Sequence, residues 1–221
     1  MQISLLGGTG DIGEGLALRL ARDTDHDIHI GSREASKAAN AAARYERQLS
    51  EYGVETTLGS GTNSSVTTTA DVAILAVPAY YLADTIAAVE DELDGTVLVS
   101  PAVGMKRDDA GIHYNPPGVG SVTELAARAA PDDVPVVGAF HNLAAGRLTS
   151  LEADLDWDVL VVGDDPDAKA LVRELTDDIA GLRSLDVGGL ANAAEVESVT
   201  PLLINLAANN DDLSDLGVKF W

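Results

Sequence analysis

Three glycines near the N-terminus, Gly8, Gly10 and Gly13, stand at the spacing that lets a backbone cradle a pyrophosphate. In such a turn the first glycine permits a tight bend, the second leaves room for phosphate against the main chain, and the third lets helix and strand pack closely. The implied chemistry is dinucleotide binding, with the phosphates on free amides at a helix start. About 20 residues further on, where such a site reads the ribose, stand Ser32 and Arg33 rather than the Asp or Glu that takes a 2′-hydroxyl. A hydroxyl and a guanidinium suit a 2′-phosphate. Lys37 adds charge one turn into the following helix, and Thr9 adds a hydroxyl in the glycine turn. NADP(H) is therefore expected over NAD. Glu34 is the discordant neighbour, and the competing use of Ser32 is as a helix cap with Arg33 left in solvent.

The remaining reactive side chains point away from hydrolysis. His26, His29, His113 and His141 are scattered, the serines lack a nucleophile-elbow setting, and cysteine is absent, which removes disulfides, thiolate zinc sites and thiol nucleophiles together. The carboxylates between Asp156 and Asp167 have no metal-ligand spacing, so no metal is expected. A nicotinamide that delivers hydride is the chemistry left standing, with the cofactor carrying the reactivity and the protein fixing the geometry.

The elements that must position these groups follow from the apolar pattern. Ile3–Leu6 reads as a strand feeding the glycine turn and a helix through Leu16, Leu18 and Leu20; Asp27–Gly31 reads as the next strand, with a helix from Ala35 to Leu49. The polar stretch Leu58–Ser65 is open to a loop, a helix entry or a lip. Asp71–Val77 is a continuous apolar run, as a strand buried on both faces requires, and its end at Val77 and Pro78 should face the cofactor. A helix is expected over Tyr80–Leu93, a strand over Thr96–Ser100, a mobile loop over residues 106–120 with its five Gly and Pro, a helix capped by Ser121, and a strand over Val134–Ala139. His141 lies just past that strand and hence near the crevice. A smaller αβ pattern follows, with strands at Asp158–Gly163 and Ser184–Gly188, a helix at Pro166–Ile179 and a long apolar helix from about Leu190 to Asn209. The fold class is α/β, a Rossmann-like doubly wound parallel sheet over residues 1–140, with a smaller C-terminal α/β domain over residues 141–221.

Composition narrows the setting. The chain of 221 residues has 36 acidic against 14 basic side chains, a formal charge of −22, yet 46% of its residues are hydrophobic. Nucleic acid is excluded as a partner because its surface demands clustered cations. Disorder is excluded by the apolar content. An acidic surface suits a concentrated salt cytoplasm, where counterions screen the self-repulsion. No leader precedes the first strand, and the longest apolar run is too short to span a bilayer, so a cytoplasmic protein is expected. The final Val218–Trp221 is too aromatic to hang free and should dock on the body or on a second copy; with the apolar C-terminal helix it suggests a homodimer.

The segments LLGGTGDIGEGLALRLA, IGSR, AVPA, VSPAV, AFHN, DWDVLVVGDD, ESVTPLLINLA and LGVKFW together resemble the NADPH-dependent reductases of the deazaflavin coenzyme F420, over essentially the whole chain. The resemblance implies an N-terminal domain for NADP(H), a small C-terminal domain that closes the deazaflavin site, and direct reversible hydride transfer between the two ring systems. It puts Gly8, Thr9, Gly10, Asp11 and Ile12 at the pyrophosphate, Ser32, Arg33 and Lys37 at the 2′-phosphate, and Val77 and Pro78 near the nicotinamide. It puts Val103, His141, Ser198, Thr200, Pro201 and Leu216 around the deazaflavin, where His141 would orient the acceptor ring or assist its protonation, or else serve as scaffold. Asp11 departs from the Asn common in that family and sets a carboxylate near the phosphates. The alternatives are an NADP-dependent reductase of an imine or small carbonyl, and a non-enzymatic NADP-sensing module.

Overall fold

The apolar run Gln2–Leu6 (β1) becomes a central strand because both of its faces are covered. Ile3 and Leu5 join the core on one side of the sheet, and Leu6 joins the core on the other, where Ser4 donates from its hydroxyl to the carbonyl of Val66 at 2.6 Å. The computed structural model, which describes Met1 through Trp221, builds outward from this strand. Helix α1 (Asp11–Asp23) leads to β2 (Asp27–Ser32) and α2 (Ala35–Glu51), then β3 (Gly59–Thr62) and the short α3 (Asn63–Thr67). The chain returns past β1 through β4 (Val72–Leu75), α4 (Leu82–Ala87), β5 (Val97–Ser100), a hairpin of β6 (Met105–Asp108) and β7 (Gly111–Tyr114), α5 (Val122–Ala129) and β8 (Val136–Gly138). Strands β3-β2-β1-β4-β5-β8 run parallel in that order, and the reversal of direction at β1 opens a crevice over the carboxyl ends of β1, β2 and β4.

Beyond residue 140 come α6 (Ala145–Thr149), β9 (Trp157–Gly163), α7 (Pro166–Asp177), β10 (Leu182–Asp186) and α8 (Ala193–Ala208). Strands β9 and β10 do not form a sheet of their own. β9 pairs antiparallel with β8, β10 pairs parallel with β9, and the sheet reaches eight strands. Leu148, Val159, Val161 and Val172 share one core with Leu16, Leu18 and Leu20 of α1. The buried guanidinium of Arg19 joins the segments further, donating to the carbonyls of Arg147, Leu148, Ser150 and Ala153 at 2.6–3.0 Å. Burial, then the neighbouring Arg22, lowers its pKa to about 10, so it stays charged while gripping the carbonyl end of α6.

Three expectations are revised. The stretch expected as one helix from Tyr80 is broken into a 3₁₀ turn at Ala79–Tyr81, α4 and a second 3₁₀ turn at Glu90–Glu92. The first part of the stretch 106–120, expected as a mobile loop, instead belongs to the β6–β7 hairpin, which turns at Asp109-Ala110. Its hold on the body explains why: Asn205 of α8 accepts from the Ile112 amide at 3.0 Å and donates back to its carbonyl at 2.6 Å. The long C-terminal helix begins only at Ala193, after a 3₁₀ turn at Leu190–Asn192. No helix is long and apolar enough to cross a membrane.

Candidate functional site

The glycine turn is shaped by two close approaches and one open position. Gly7 has φ +74°, where a Cβ would lie 2.4 Å from the Val77 side chain. A Cβ on Gly13 would lie 2.6 Å from the Cα of Gly8, so both glycines serve the packing of helix on strand. At Gly10 nothing approaches nearer than 3.8 Å, which leaves space against the backbone for a ligand atom. Gly10 is also the N-cap of α1 and no side chain caps that helix, so its first amides are left for an anion.

Around this turn lies a cleft of ≈ 490 Å³. Gly7, Thr9 and Gly10 form its floor, Ser32, Arg33 and Lys37 one end, and Val77 and Pro78 the other wall. Ser32 is buried and does not cap α2; its hydroxyl accepts from the Glu34 amide at 3.4 Å. Arg33 is exposed, forms no ion pair, and holds its guanidinium 5.3 Å from the ring centroid of Tyr81. Lys37 reaches Glu34 at 2.7 Å, and this contact depresses the Glu34 carboxyl pKa. Glu34 thus sits beside the cations without neutralising Arg33. The residues fit a phosphorylated dinucleotide: a cradle open only at Gly10, an uncapped helix start, and two cations with a hydroxyl at the β2 end. Asp11 is exposed in the first turn of α1 and outside the cleft lining, Ile12 is half-buried, and Gly8 and Gly13 lie behind the turn.

Sequence reasoning missed several lining residues, among them Asn63, Tyr81 and, on α4, Asp84 and Thr85. Asn63, at the start of α3, accepts from the Gly7 amide at 3.1 Å through Oδ1 and so fixes the turn from below. Tyr81 stands across from Ser32 with Arg33 over it. The Gly-Ser-Gly-Thr-Asn run gave a signal only in the sense that small residues were kept there: a Cβ on Gly61 would fall 2.3 Å from the Ser65 hydroxyl.

A second cleft, of ≈ 330 Å³, lies beyond β8 on the same carboxyl edge of the sheet. Leu143 and Ala144 form one side, Leu203 and Ile204 of α8 another, and Leu216 of the C-terminal tail a third. Asn142, Thr200 and Asp215 are its polar groups. Phe140, buried and with φ +67°, turns the chain sharply after β8. That conformation is costly for a bulky residue and persists because the core holds the ring. The turn sends the His141 ring inward and leaves Asn142 at the cleft. The Oδ1 atom of Asn142 is buried without a partner. Of the residues expected here, Thr200 and Leu216 line the cleft. Val103 is half-buried past β5, Ser198 donates to the Glu195 carbonyl at 2.7 Å, and Pro201 is buried within α8, so these three stand off the wall.

His141 does not reach the cleft either. Its ring is buried behind the wall, and burial pushes its pKa down to about 3. Nε2 lies 3.3 Å from the Thr123 hydroxyl, which donates to Glu197 at 2.9 Å; the ring nitrogen therefore carries the proton and Nδ1 is left without a partner. Glu197, also buried, accepts from the amides of Val122 and Thr123 and from the Tyr114 hydroxyl. Burial outweighs these bonds and raises its pKa. The His141 carbonyl accepts from Thr200 at 2.7 Å, so the residue supports the wall of the cleft from behind.

A cationic, glycine-floored crevice and a second, mostly apolar cleft on one sheet edge fit one class: a two-substrate oxidoreductase built on a dinucleotide-binding sheet. Comparison with known proteins agrees. Residues 2–104 match the family "NADP oxidoreductase coenzyme F420-dependent". The chain is 38% identical over 208 residues to an F420-dependent NADP reductase of Methanocaldococcus jannaschii, covering 93% of this chain and 92% of that one. It is 39% identical over 213 residues to that of Methanothermobacter marburgensis, covering 95% and 94%. A crystal structure from Arthrobacter sp. FB24, ascribed to the same kind of reductase, superimposes with a TM-score of 0.80 at 24% identity, over 100% of this chain and 99% of that one. Pyrroline carboxylate reductase of Plasmodium falciparum shares the fold more loosely, with a TM-score of 0.56 and 10% identity over 84% of this chain and 57% of that one. The chain belongs to the family of coenzyme F420-dependent NADP oxidoreductases.

Proposed function

We propose that NADP(H) lies along the first cleft and the deazaflavin ring of coenzyme F420 enters the second, with residues 1–140 carrying the nucleotide and residues 141–221 closing the other site. The chain is an oxidoreductase that transfers hydride between NADP(H) and coenzyme F420. The two coenzymes supply the reactive carbons themselves. What the chain adds is placement. The Gly10 amide edge and the α1 start hold the pyrophosphate, Arg33 and Lys37 with Ser32 hold the 2′-phosphate, and Val77 and Pro78 press on the nicotinamide side. Leu143, Leu203, Ile204 and Leu216 shed water from the deazaflavin face, and Asn142 and Thr200 orient its polar edge. His141, neutral and buried, acts as scaffold through its carbonyl rather than as a proton donor. Asp11 turns to solvent, where counterions screen it from the phosphates.

The observation that carries this reading is the pairing of a cationic, glycine-floored cleft with an apolar one on the same strand ends. The acidic surface further supports work in a high-salt cytoplasm, and exposed Leu202 and Leu206 on α8 support a homodimer. The test is to mix the protein with NADPH and oxidised coenzyme F420 in molar KCl. The deazaflavin absorbance should bleach in proportion to the NADPH consumed. Retention of that absorbance while NADPH is consumed with an imine or small carbonyl would replace the assignment by the rival reductase.

A further inference from the structure

The C-terminal tail docks around Asp158, with Arg183 also donating to the Phe220 carbonyl at 2.6 Å, and Asp158 also holds a residue of the second cleft's wall. Strand β8 is short and meets β9 only at Val162 and Gly163, which leaves the beginning of β9 with an open edge. The tail fills it: the Asp158 amide donates to the Val218 carbonyl at 2.8 Å. The Asp158 carboxylate, with 0% of its side chain exposed, accepts a two-pronged bond from Arg183 at 2.7 and 2.8 Å and the Phe220 amide at 2.6 Å. Lys219 stands 3.6 Å from it and pairs with Asp156 at 2.7 Å. On the same edge of β9 the Asp158 carbonyl accepts from the Asn142 side chain at 2.7 Å. Gly217 lies flat on Trp157, where a Cβ would come 2.2 Å from the indole. Between these clamps and the close approach of Asp215 to Gly146, Leu216 is fixed in the cleft wall.

We infer that Asp158 is a positioning residue for the deazaflavin substrate: through the tail it seats Leu216, and through its carbonyl it seats Asn142, both of which line one cleft. This rests on the reading of the second cleft as the deazaflavin site. None of these contacts reaches the nucleotide cleft, whose lining contains no tail residue. A carboxylate buried and bonded in this way is screened by salt far less than an exposed pair, so the clamp operates in molar KCl.

The test compares Asp158→Asn and Arg183→Gln, both with their parent in a Trp221→Phe background, and a chain ending at Gly217, so that Trp157 is the sole indole in each. Arg183 is half exposed and lies outside both clefts, so its variant keeps the fold available should Asp158→Asn lose it. Release of the tail should raise acrylamide quenching of Trp157 in all three. The KM for coenzyme F420 should rise by about tenfold or more, the worth of a lost charge-assisted bond, while the KM for NADPH changes less than about twofold. An unchanged F420 KM in variants whose Trp157 has become quenchable overturns the positioning role, as does a tail that stays in place in Asp158→Asn. Ile204→Trp, which fills the cleft directly, separates the two levels. If it raises the F420 KM and the tail variants do not, only the role of Asp158 fails; if it too has no effect, the second cleft is not the deazaflavin site and both readings fall.

Discussion

Replacing His141 by glutamine should abolish an acid sensitivity that the native protein carries. The imidazole is sealed in the core and its pKa falls from 6.5 to about 3, with desolvation as the cause. Because the folded value lies below the unfolded one, stability is fully present above pH 6.5 and is lost as pH falls from 6.5 toward 3. At pH 5 the unfolded chain has gained most of a proton that the folded chain refuses, over about 1.5 pH units, which costs about 2 kcal/mol. For a domain of this size that corresponds to a loss of roughly 4–8 °C in melting temperature. Glutamine has the reach to donate to Thr123 as the ring does but does not titrate, so the variant lacks this term. The assay is thermal unfolding of both proteins at pH 7.5 and 5.0 at one KCl concentration. Asp108, Asp158 and Asp186, whose pKa values are lowered by hydrogen bonds and ion pairs, contribute equally to both proteins and cancel in the double difference. Equal losses in the two proteins would refute the argument and would mean that water reaches His141, which would reopen a role for the ring as proton donor.

Arg33→Ala should raise the KM for NADPH by roughly 10- to 100-fold, the worth of a bond between charged groups, and should leave the KM for NADH within about twofold; steady-state kinetics with both coenzymes checks this. The melting temperature should climb between dilute buffer and molar KCl, since the chain carries a charge of −22 that counterions must screen; a salt-independent value would remove the case for a salt-adapted surface.

Where the chain repeats strong local rules, the sequence discloses its structure. The central parallel strands β1, β4 and β5 are near-continuous apolar runs because both faces are buried, and the ends of β1, β2 and β4 follow from glycine and proline punctuation. Ser121 caps α5 as its position implies, accepting from the Glu124 amide. That Gly10, Ser32 and Arg33 share one cleft was legible for the same reason, since they stand at fixed offsets from the glycine turn. Features decided by distant partners were not legible. Residues 105–114 hold as a hairpin through Asn205, some 90 residues away. Phe140 adopts a left-handed turn that nothing in its neighbours announces, and that turn decides whether His141 or Asn142 faces the cleft. Asn63 and Tyr81 enter the first cleft from segments with no period of their own, one undecided between loop and helix and the other masked by an apparent single helix.

Arg19 has a mechanical consequence. With its charge clasped by four carbonyls of the C-terminal half, the helix that receives the phosphates and the segment that leads from the second cleft are bolted to one plate. The enzyme works as a jig rather than as jaws. On the proposed placement, both clefts are cut before either coenzyme arrives, and their alignment is set when the polypeptide folds.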